Sequence, residues 1–594
     1  MHDSKNLISA VVLSIIVLFC WQFFVAAPRM EEAQKQAELV KKQIAEEVII
    51  GEAPSQSNVI KDPEDASNSI DTPPIQKLIR SDDRKEVLAQ TKRIKINTSK
   101  LHGSISLKGA RFDDLTLVEH KTFNDPEADE VALLSPAGLL AKKYHEEERD
   151  VEIVYFSEFG WLRGDETIIV PDSKTIWYTE DTELTPSKPV TLAWDNNHGL
   201  KFFIKVEIDE NYLFTITKTI ENYGSTSHLA FPFGRVNRAK EEEQTYFISH
   251  EGAIGAFNGT LSEITYEDLI DDRKIEFDGS KGWFGFADKY WLTTIIPNQD
   301  NSFDTNLIYF NKNGQDKYQV DFHGKREEIK PGKTIQYTSH LFAGPKEVNT
   351  LDEYGEKLNL ELFDRSVDFG VLYFLTKPIY KLLMVFYGFV GNFGIAIMML
   401  TVLLKLCLFP LANKSYVSMH HLKRLQPQML DLKERYKNDR VAMNKAVMDL
   451  YKEEKVNPMS GCMPILIQIP IFFALYKVLF VTIEMRHAPF YGWITDLSAP
   501  DPTTIFNLFG LLPFDPPQML MIGIWPIIMG LTMYLQQKMN PAPTDPIQAK
   551  VMKMLPWIFV FVLSSFPAGL VIYWAWNNAL SILQQWVITR RLPR

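Results

Sequence analysis

The chain has 594 residues, 46% of them hydrophobic, and a formal net charge of −11, which is too long for one compact domain. The average conceals two unlike parts: residues 29–370 carry 41 Lys and Arg against 62 Asp and Glu, whereas residues 371–594 carry 21 against 11. An acidic middle and a basic, apolar C-terminal part point to different compartments. The three cysteines, Cys20, Cys407 and Cys462, all lie in or at apolar segments, which excludes a disulfide framework in the acidic part and any zinc or redox spacing.

Leu7 to Ala27 is a near-continuous apolar run of the length of a spanning helix. Pro28 directly after Val25-Ala26-Ala27, and Phe19 before Cys20, disfavour signal-peptide and lipoprotein cleavage. Residues 1–29 are therefore expected to be an uncleaved transmembrane anchor. Residues 30–76 are expected to be a tether, helical where Ala, Glu, Lys and Gln dominate and unstructured where Ser, Asp, Pro and Asn take over.

Between residues 77 and 346 the pattern becomes β-type. VEIVYF from Val151, TIWYT from Thr175, VTLAWD from Val190, LKFFIKVEI from Leu200, YLFTITKTI from Tyr212 and TIQYTSHLF from Thr334 read as strands, with turn clusters such as Asp195 to Gly199 between them. Strands without intervening helical patterns predict an all-β sandwich or superbarrel. His198, His250 and His323 are scattered and set no metal-ligand spacing. Residues 347–391 read as amphipathic helices, with Lys377 and Lys381 on one face of a segment lying in the membrane interface.

Residues 392–594 hold five further apolar segments: Phe393–Ala412, Met463–Ile483, Met519–Leu535, Val551–Phe566 and Leu570–Ile588. With the anchor they make six expected spans. Lys and Arg cluster in residues 414–460, near Lys538 and Lys550, and at the tail, while the loop between Met463–Ile483 and Met519–Leu535 has only Arg486. The positive-inside rule makes the basic loops and both termini cytoplasmic and the acidic β domain periplasmic in a cell with two membranes. Residues 414–460 read as a cytoplasmic helical hairpin, Ser415–Tyr436 and Asp439–Glu454, whose bases include Lys423, Arg424, Arg435, Lys437 and Arg440. Ribosomal RNA, anionic lipid and another protein all suit such an arm.

Lys405 is the anomaly. It sits inside the first of these five segments, where a lysine costs roughly 2.5–3.5 kcal/mol on insertion scales and is seldom idle. No Asp or Glu lies in any of the five segments, so water is expected to solvate the ammonium.

The run YKEEKVNPMSGCMPILIQIPIFFALYKVL from Tyr451 resembles the signature of the YidC/Oxa/Alb family of membrane protein insertases. GFVGNFGIAIMMLTVLLK, FPLANKSYVSM, LQP at Leu425, WITDLSAPDP at Trp493 and FPAGLVIYW at Phe566 are similar to further blocks of that family, in order and at matching spacing. The anchor, the β domain and LFAGPKE at Leu341 resemble its Gram-negative form. The resemblance implies a multi-domain inner-membrane protein with an all-β periplasmic sandwich, an α-helical transmembrane bundle and a cytoplasmic hairpin. It implies insertion and folding of nascent membrane proteins, alone or with the Sec translocon, through a hydrophilic, positively charged groove.

Its implied groove residues are Thr401, Lys405, Gln468, Tyr573 and Trp574, with lysine where the family usually has arginine. Its implied partners are nascent membrane proteins, the ribosome, the Sec translocon with its accessory subunits, the signal recognition particle receptor and membrane lipids. No phosphate-binding loop, metal site or catalytic triad is present in the sequence, so neither a cofactor nor an enzymatic reaction is expected. Two rivals fit less well. A transporter calls for paired ionisable groups at the midplane, and a tethered periplasmic enzyme does not need so elaborate a bundle. The stretch after Pro502, TTIFNLFGLLPFDPP, is longer than in the familiar form and has no role in this reading.

Overall fold

The structure is a computed structural model that describes residues 80–141, 151–239, 249–312, 314–436, 439–454, 463–509, 521–540 and 546–591, with single positions 456, 512, 514 and 516. The expected anchor and tether, residues 1–76, lie outside the described residues. The chain divides into two compact units, one within Glu31–Asp368 and one containing Phe369–Arg594.

The first unit is built on two twisted sheets. Its eight-stranded sheet runs, edge to edge, Thr260–Thr265, Gly252–Phe257, Gly282–Ala287, Trp291–Ile296, Thr334–Pro345, Leu213–Asn222, Leu200–Ile208 and Val190–Asp195, every pair antiparallel. The eleven-stranded sheet has Tyr155–Arg163 and His228–Ala239 side by side at its centre. Alternation decides the faces: in Leu200–Ile208, residues 200, 202, 204, 206 and 208 are buried while those between them are not. Rings from the two sheets meet in the interior, Phe112 on Phe214 at 5.6 Å and Phe284 on Phe322 at 6.1 Å, and this makes the unit a sandwich. The Asp195–Gly199 turn forms as its residues require. Asn197 and Gly199 take φ of 58° and 98°, and Asn196 Oδ1 accepts from the backbone N–H of His198 and of Leu200.

Charges enter this core in company. Glu158 is fully buried and accepts from Arg111 at 2.6 Å and from Arg235 at 2.8 Å. Burial pushes its carboxyl up, but the two guanidiniums outweigh that and hold it below the usual range. Lys218 is also fully buried. Its ammonium donates to the Phe233 carbonyl at 2.7 Å and lies over the rings of Tyr337 at 4.8 Å and Phe322 at 5.2 Å. Burial holds it well below the ordinary lysine value.

Local expectations fail at several points in this unit, among them the five-residue helix Arg84–Leu88. Thr175–Thr179 forms no strand, only the isolated bridges Ile176 with Lys108 and Tyr178 with Ala193. A short helix, Tyr266–Asp272, stands where only strands were expected, nucleated by a capping box between Thr265 and Asp268. VEIVYF also pairs late, its strand beginning at Tyr155.

The second unit is helical: α1 Tyr373–Val390, α2 Phe393–Cys407, α3 Phe409–Arg435, α4 Arg440–Glu453, α5 Met463–Val481, α6 Ile524–Met539, α7 Pro546–Leu563 and α8 Ala568–Arg590. The apolar run Phe393–Ala412 is not one straight helix. It breaks at Leu408, and α2 and α3 meet at a bend of 68°. Pro410 explains the break, since it has no N–H for the Leu406 carbonyl and its ring crowds that turn. Among the described residues no single helix is long and apolar enough to cross a membrane. The bent pair α2–α3 meets that requirement by length and composition. Helix α8 is long enough, but Asn577, Asn578, Ser581 and Gln585, all buried, interrupt its apolar character.

Candidate functional site

Three helices converge on one recess lined by Thr401, Leu404, Lys405, Leu408, Gln468, Ile471, Tyr573 and Asn577. From α2, Thr401 and Lys405 project on the same side because they are one turn apart. Thr401 is 2% exposed and donates to the Ile397 carbonyl of its own helix at 2.7 Å. Lys405 Nζ donates to Ser581 Oγ at 2.8 Å, and Ser581 in turn donates to the Asn577 carbonyl at 2.8 Å. Gln584 Nε2 donates to the Lys405 carbonyl at 3.4 Å, so α8 grips both ends of the lysine. From α5, Gln468 Nε2 donates to Tyr573 Oη at 2.5 Å. Asn577 Oδ1 is buried and has no hydrogen-bond partner among the described residues. An acceptor left open beside an ammonium donor is costly unless the recess admits a polar guest.

Four of the five expected groove residues, Thr401, Lys405, Gln468 and Tyr573, line this recess together. Trp574 does not. It packs on Phe472 at 4.7 Å and Phe559 at 5.3 Å, against the cluster of Met529, Leu563, Val571 and Ala575. Consecutive residues of a helix point about 100° apart, so Tyr573 and Trp574 cannot share a narrow recess. The expectation that only water meets Lys405 also needs correction, because Ser581 supplies a hydroxyl. Ser581 and Asn577 were missed. The available signal was the spacing Tyr573, Asn577, Ser581, Gln584, a polar stripe at helical period in an otherwise apolar segment.

The hairpin bases lie elsewhere. Lys423, Arg424 and Arg435 are exposed on α3, Arg440 opens α4, and Lys437 lies outside the described residues. The hairpin methionines divide their work. Met419 packs with Tyr416 against Ile588 of α8, Met429 Sδ accepts from Tyr451 Oη at 3.4 Å, and Met448 is half exposed.

Residues 93–382 match the YidC periplasmic domain family, and residues 385–594 match the family described as 60Kd inner membrane protein. The membrane protein insertase YidC of Rickettsia massiliae is 45% identical over 592 residues, covering 98% of this chain and 99% of that one. The YidC of Rickettsia rickettsii strain Iowa is 46% identical with the same coverage. A solved structure of an active YidC insertase with its first transmembrane domain resolved covers 84% of this chain and 93% of its own at 16% identity and a TM-score of 0.33, a likeness that carries none of the assignment. Identity of this order over nearly the whole of both sequences decides the matter: the chain belongs to the YidC family of membrane protein insertases, inner-membrane proteins with a periplasmic domain, and not a family of enzymes.

Proposed function

We propose that the chain inserts nascent proteins into the inner membrane and that the recess around Lys405 is where it receives them. The observation that carries this reading is the pairing of Lys405 Nζ with a neutral hydroxyl, Ser581 Oγ, next to the open acceptor of Asn577. A cation met only by neutral dipoles keeps its attraction for an incoming carboxylate, whereas one already in an ion pair does not. A substrate segment of about 20 apolar residues gains free energy on entering lipid, and the barrier is the passage of its polar flank. In this mechanism Lys405 attracts acidic residues of that flank, while Asn577 and the Gln468–Tyr573 pair replace part of their hydration. Exposed apolar side chains on α6, Ile528, Leu531 and Leu535, and on α7, Phe561 and Val562, suit contact with lipid. The apolar part of α7, from Val551 to Leu563, is roughly 20 Å long at 1.5 Å per residue, short of a ~30 Å hydrocarbon core. A span this short favours a locally thinned bilayer and a shorter polar crossing.

The same proposal takes residues 1–29 as an anchor, 30–76 as a tether, 77–346 as the periplasmic sandwich, 347–391 as interfacial helices and 392–594 as the insertase core. It gives the chain six spans and cytoplasmic termini, with residues 414–460 as a cytoplasmic hairpin facing the ribosome or the signal recognition particle receptor. The Sec translocon and its accessory subunits act beside it for larger substrates. Photo-crosslinking from stalled ribosome-nascent-chain complexes tests the core of this. Probes at Thr401 and Tyr573 are expected to capture the nascent segment and a probe at Trp574 to capture it weakly. Capture at Trp574 without capture at Thr401 or Tyr573 would remove the recess from the mechanism.

A further inference from the structure

The segment after Pro502 takes no part in the insertase reading, yet its base is firmly built. Asp501 is 2% exposed. Its Oδ1 accepts from Trp493 Nε1 at 3.1 Å, from the Thr503 backbone N–H at 3.0 Å and from the Thr503 hydroxyl at 2.7 Å, and its Oδ2 accepts from the Trp525 backbone N–H at 2.9 Å. Thr503 Oγ1 accepts in turn from the Ile524 backbone N–H at 3.0 Å. Two side chains from the near end of the loop thus cap the first turn of α6, whose own N-cap, Gly523, has no side chain to offer. A Cβ at Gly523 would lie 2.5 Å from the Asp501 carboxyl carbon, so the approach needs glycine. Thr504, 1% exposed, accepts at its carbonyl from Phe509 N–H at 2.9 Å, and Ile505 N–H donates to the Ile522 carbonyl at 3.3 Å. Both ends of the loop are fixed to each other and to α6.

On this base stand Ile505, Phe506, Leu508, Phe509, Leu512 and Phe514, each between 38% and 52% exposed. Leu508 and Phe509 take φ of 51° and 58°, consecutive left-handed conformations that L-residues adopt at a cost. Strain of this kind persists where surroundings compensate it; here the Leu508 and Phe509 N–H groups bond to the Ile505 and Thr504 carbonyls, while their side chains stay exposed and call for an apolar cover. Family membership makes this an inner-membrane protein, and the loop is capped onto the start of α6, whose outer face carries exposed Ile528, Leu531 and Leu535. Tyr491 and Trp493, at the base, are 63% and 40% exposed, the ring types that gather at headgroup level. From residue 487 to residue 537 the sequence contains neither Lys nor Arg, so the patch has no cation for an acidic partner.

We infer that Ile505, Phe506, Leu508, Phe509, Leu512 and Phe514 form a lipid anchor that inserts into the headgroup–acyl boundary of the bilayer and sets the depth at which α6 begins. This goes beyond the insertase reading, and the crosslinks at Thr401 and Tyr573 test that reading separately. The test uses the full chain with Cys20, Cys407 and Cys462 replaced by serine. Phe509→Cys carries an environment-sensitive fluorophore, and the protein is reconstituted in phosphatidylethanolamine–phosphatidylglycerol vesicles. A nitroxide near the top of the acyl chain is expected to quench the label roughly threefold more than the same label at Tyr178→Cys in the periplasmic domain, as fits a group buried several ångströms below the surface. Aqueous iodide is expected to quench it less than at Tyr178→Cys. Leu508→Cys repeats the measurement, so that a local disturbance at one position does not decide it. Iodide quenching equal to that at Tyr178→Cys at both positions overturns the inference. Shielding from both iodide and nitroxide lipid overturns it too, because a second copy of the chain then covers the patch.

Discussion

Lys218 and Lys405 are both lysines taken out of water, and among the described residues neither forms an ion pair. Lys218 is wholly buried, with a carbonyl acceptor at Phe233 and the rings of Phe322 and Tyr337 against its ammonium. Lys405 has its hydroxyl partner on one side and a recess with an unused acceptor on the other. The contrast teaches that burial of a charge is not in itself a functional sign. The proposed receiving role of Lys405 rests on the space and the unspent hydrogen-bonding capacity beside it. Glu158, enclosed by Arg111 and Arg235, is a third variant, in which the charge is spent entirely within the fold.

Substitutions can break or sharpen this contrast. The largest effect is expected for Glu158→Gln, which leaves two buried guanidiniums without their carboxylate and is expected to cost about 3–5 kcal/mol of periplasmic-domain stability. Calorimetry of the solubilised full chain reads it as a lowered transition, while insertion per folded molecule stays unchanged.

Lys218→Met comes next, and its sign is opposite. Burial in the folded domain holds Lys218 well below the ordinary lysine value of 10.5, so the unfolded chain keeps this proton to higher pH than the folded chain does. Stability therefore rises as pH climbs from the depressed folded value toward 10.5. The methionine variant is expected to be more stable at neutral pH by about 1–3 kcal/mol, after allowing for the lost bond to Phe233, and to lose that part of the pH slope. An unchanged slope in denaturant titrations at several pH values would sink this account of Lys218.

For Lys405→Ala, insertion of a substrate with an acidic translocated tail is expected to fall about tenfold, the equivalent of ~1.4 kcal/mol, with Lys405→Arg close to the parent. Protease protection of the tail in vesicles measures it, and equal rates for alanine and lysine would separate the charge from insertion. Ser581→Ala is the smallest change. It frees the ammonium without removing it and is expected to alter the same rate by two- to threefold, the equivalent of ~0.5 kcal/mol.

Much of the sandwich was readable because one face of each strand meets the core, as in Leu200–Ile208, where burial follows every second residue. Thr175–Thr179 has the right residue types but gains only single bridges, since strand propensity describes a surface that fits a sheet and not the presence of a neighbour. In the helical unit, Lys405 was readable because a charge in an apolar run stands out from any direction. Ser581 and Asn577 were not, because hydropathy averages over all faces of a helix and a one-sided stripe of neutral polar groups only lowers the mean. The same averaging passed over the break at Leu408, where the apolar residues continue but the backbone does not. Trp574 falls outside the recess because adjacency in a helix separates side chains instead of grouping them.

The break at Leu408 also makes α2 and α3 a bell crank. Lys405 lies three residues from the pivot, ~4.5 Å along α2, while the far end of α3 is ~40 Å away at the helical rise. Tyr416 and Met419 rest against Ile588, and Gln584 holds the Lys405 carbonyl, so α8 serves as the bearing on both arms. For any rotation about this break the far end of α3 sweeps an arc roughly nine times that of Lys405, by the ratio of these arms.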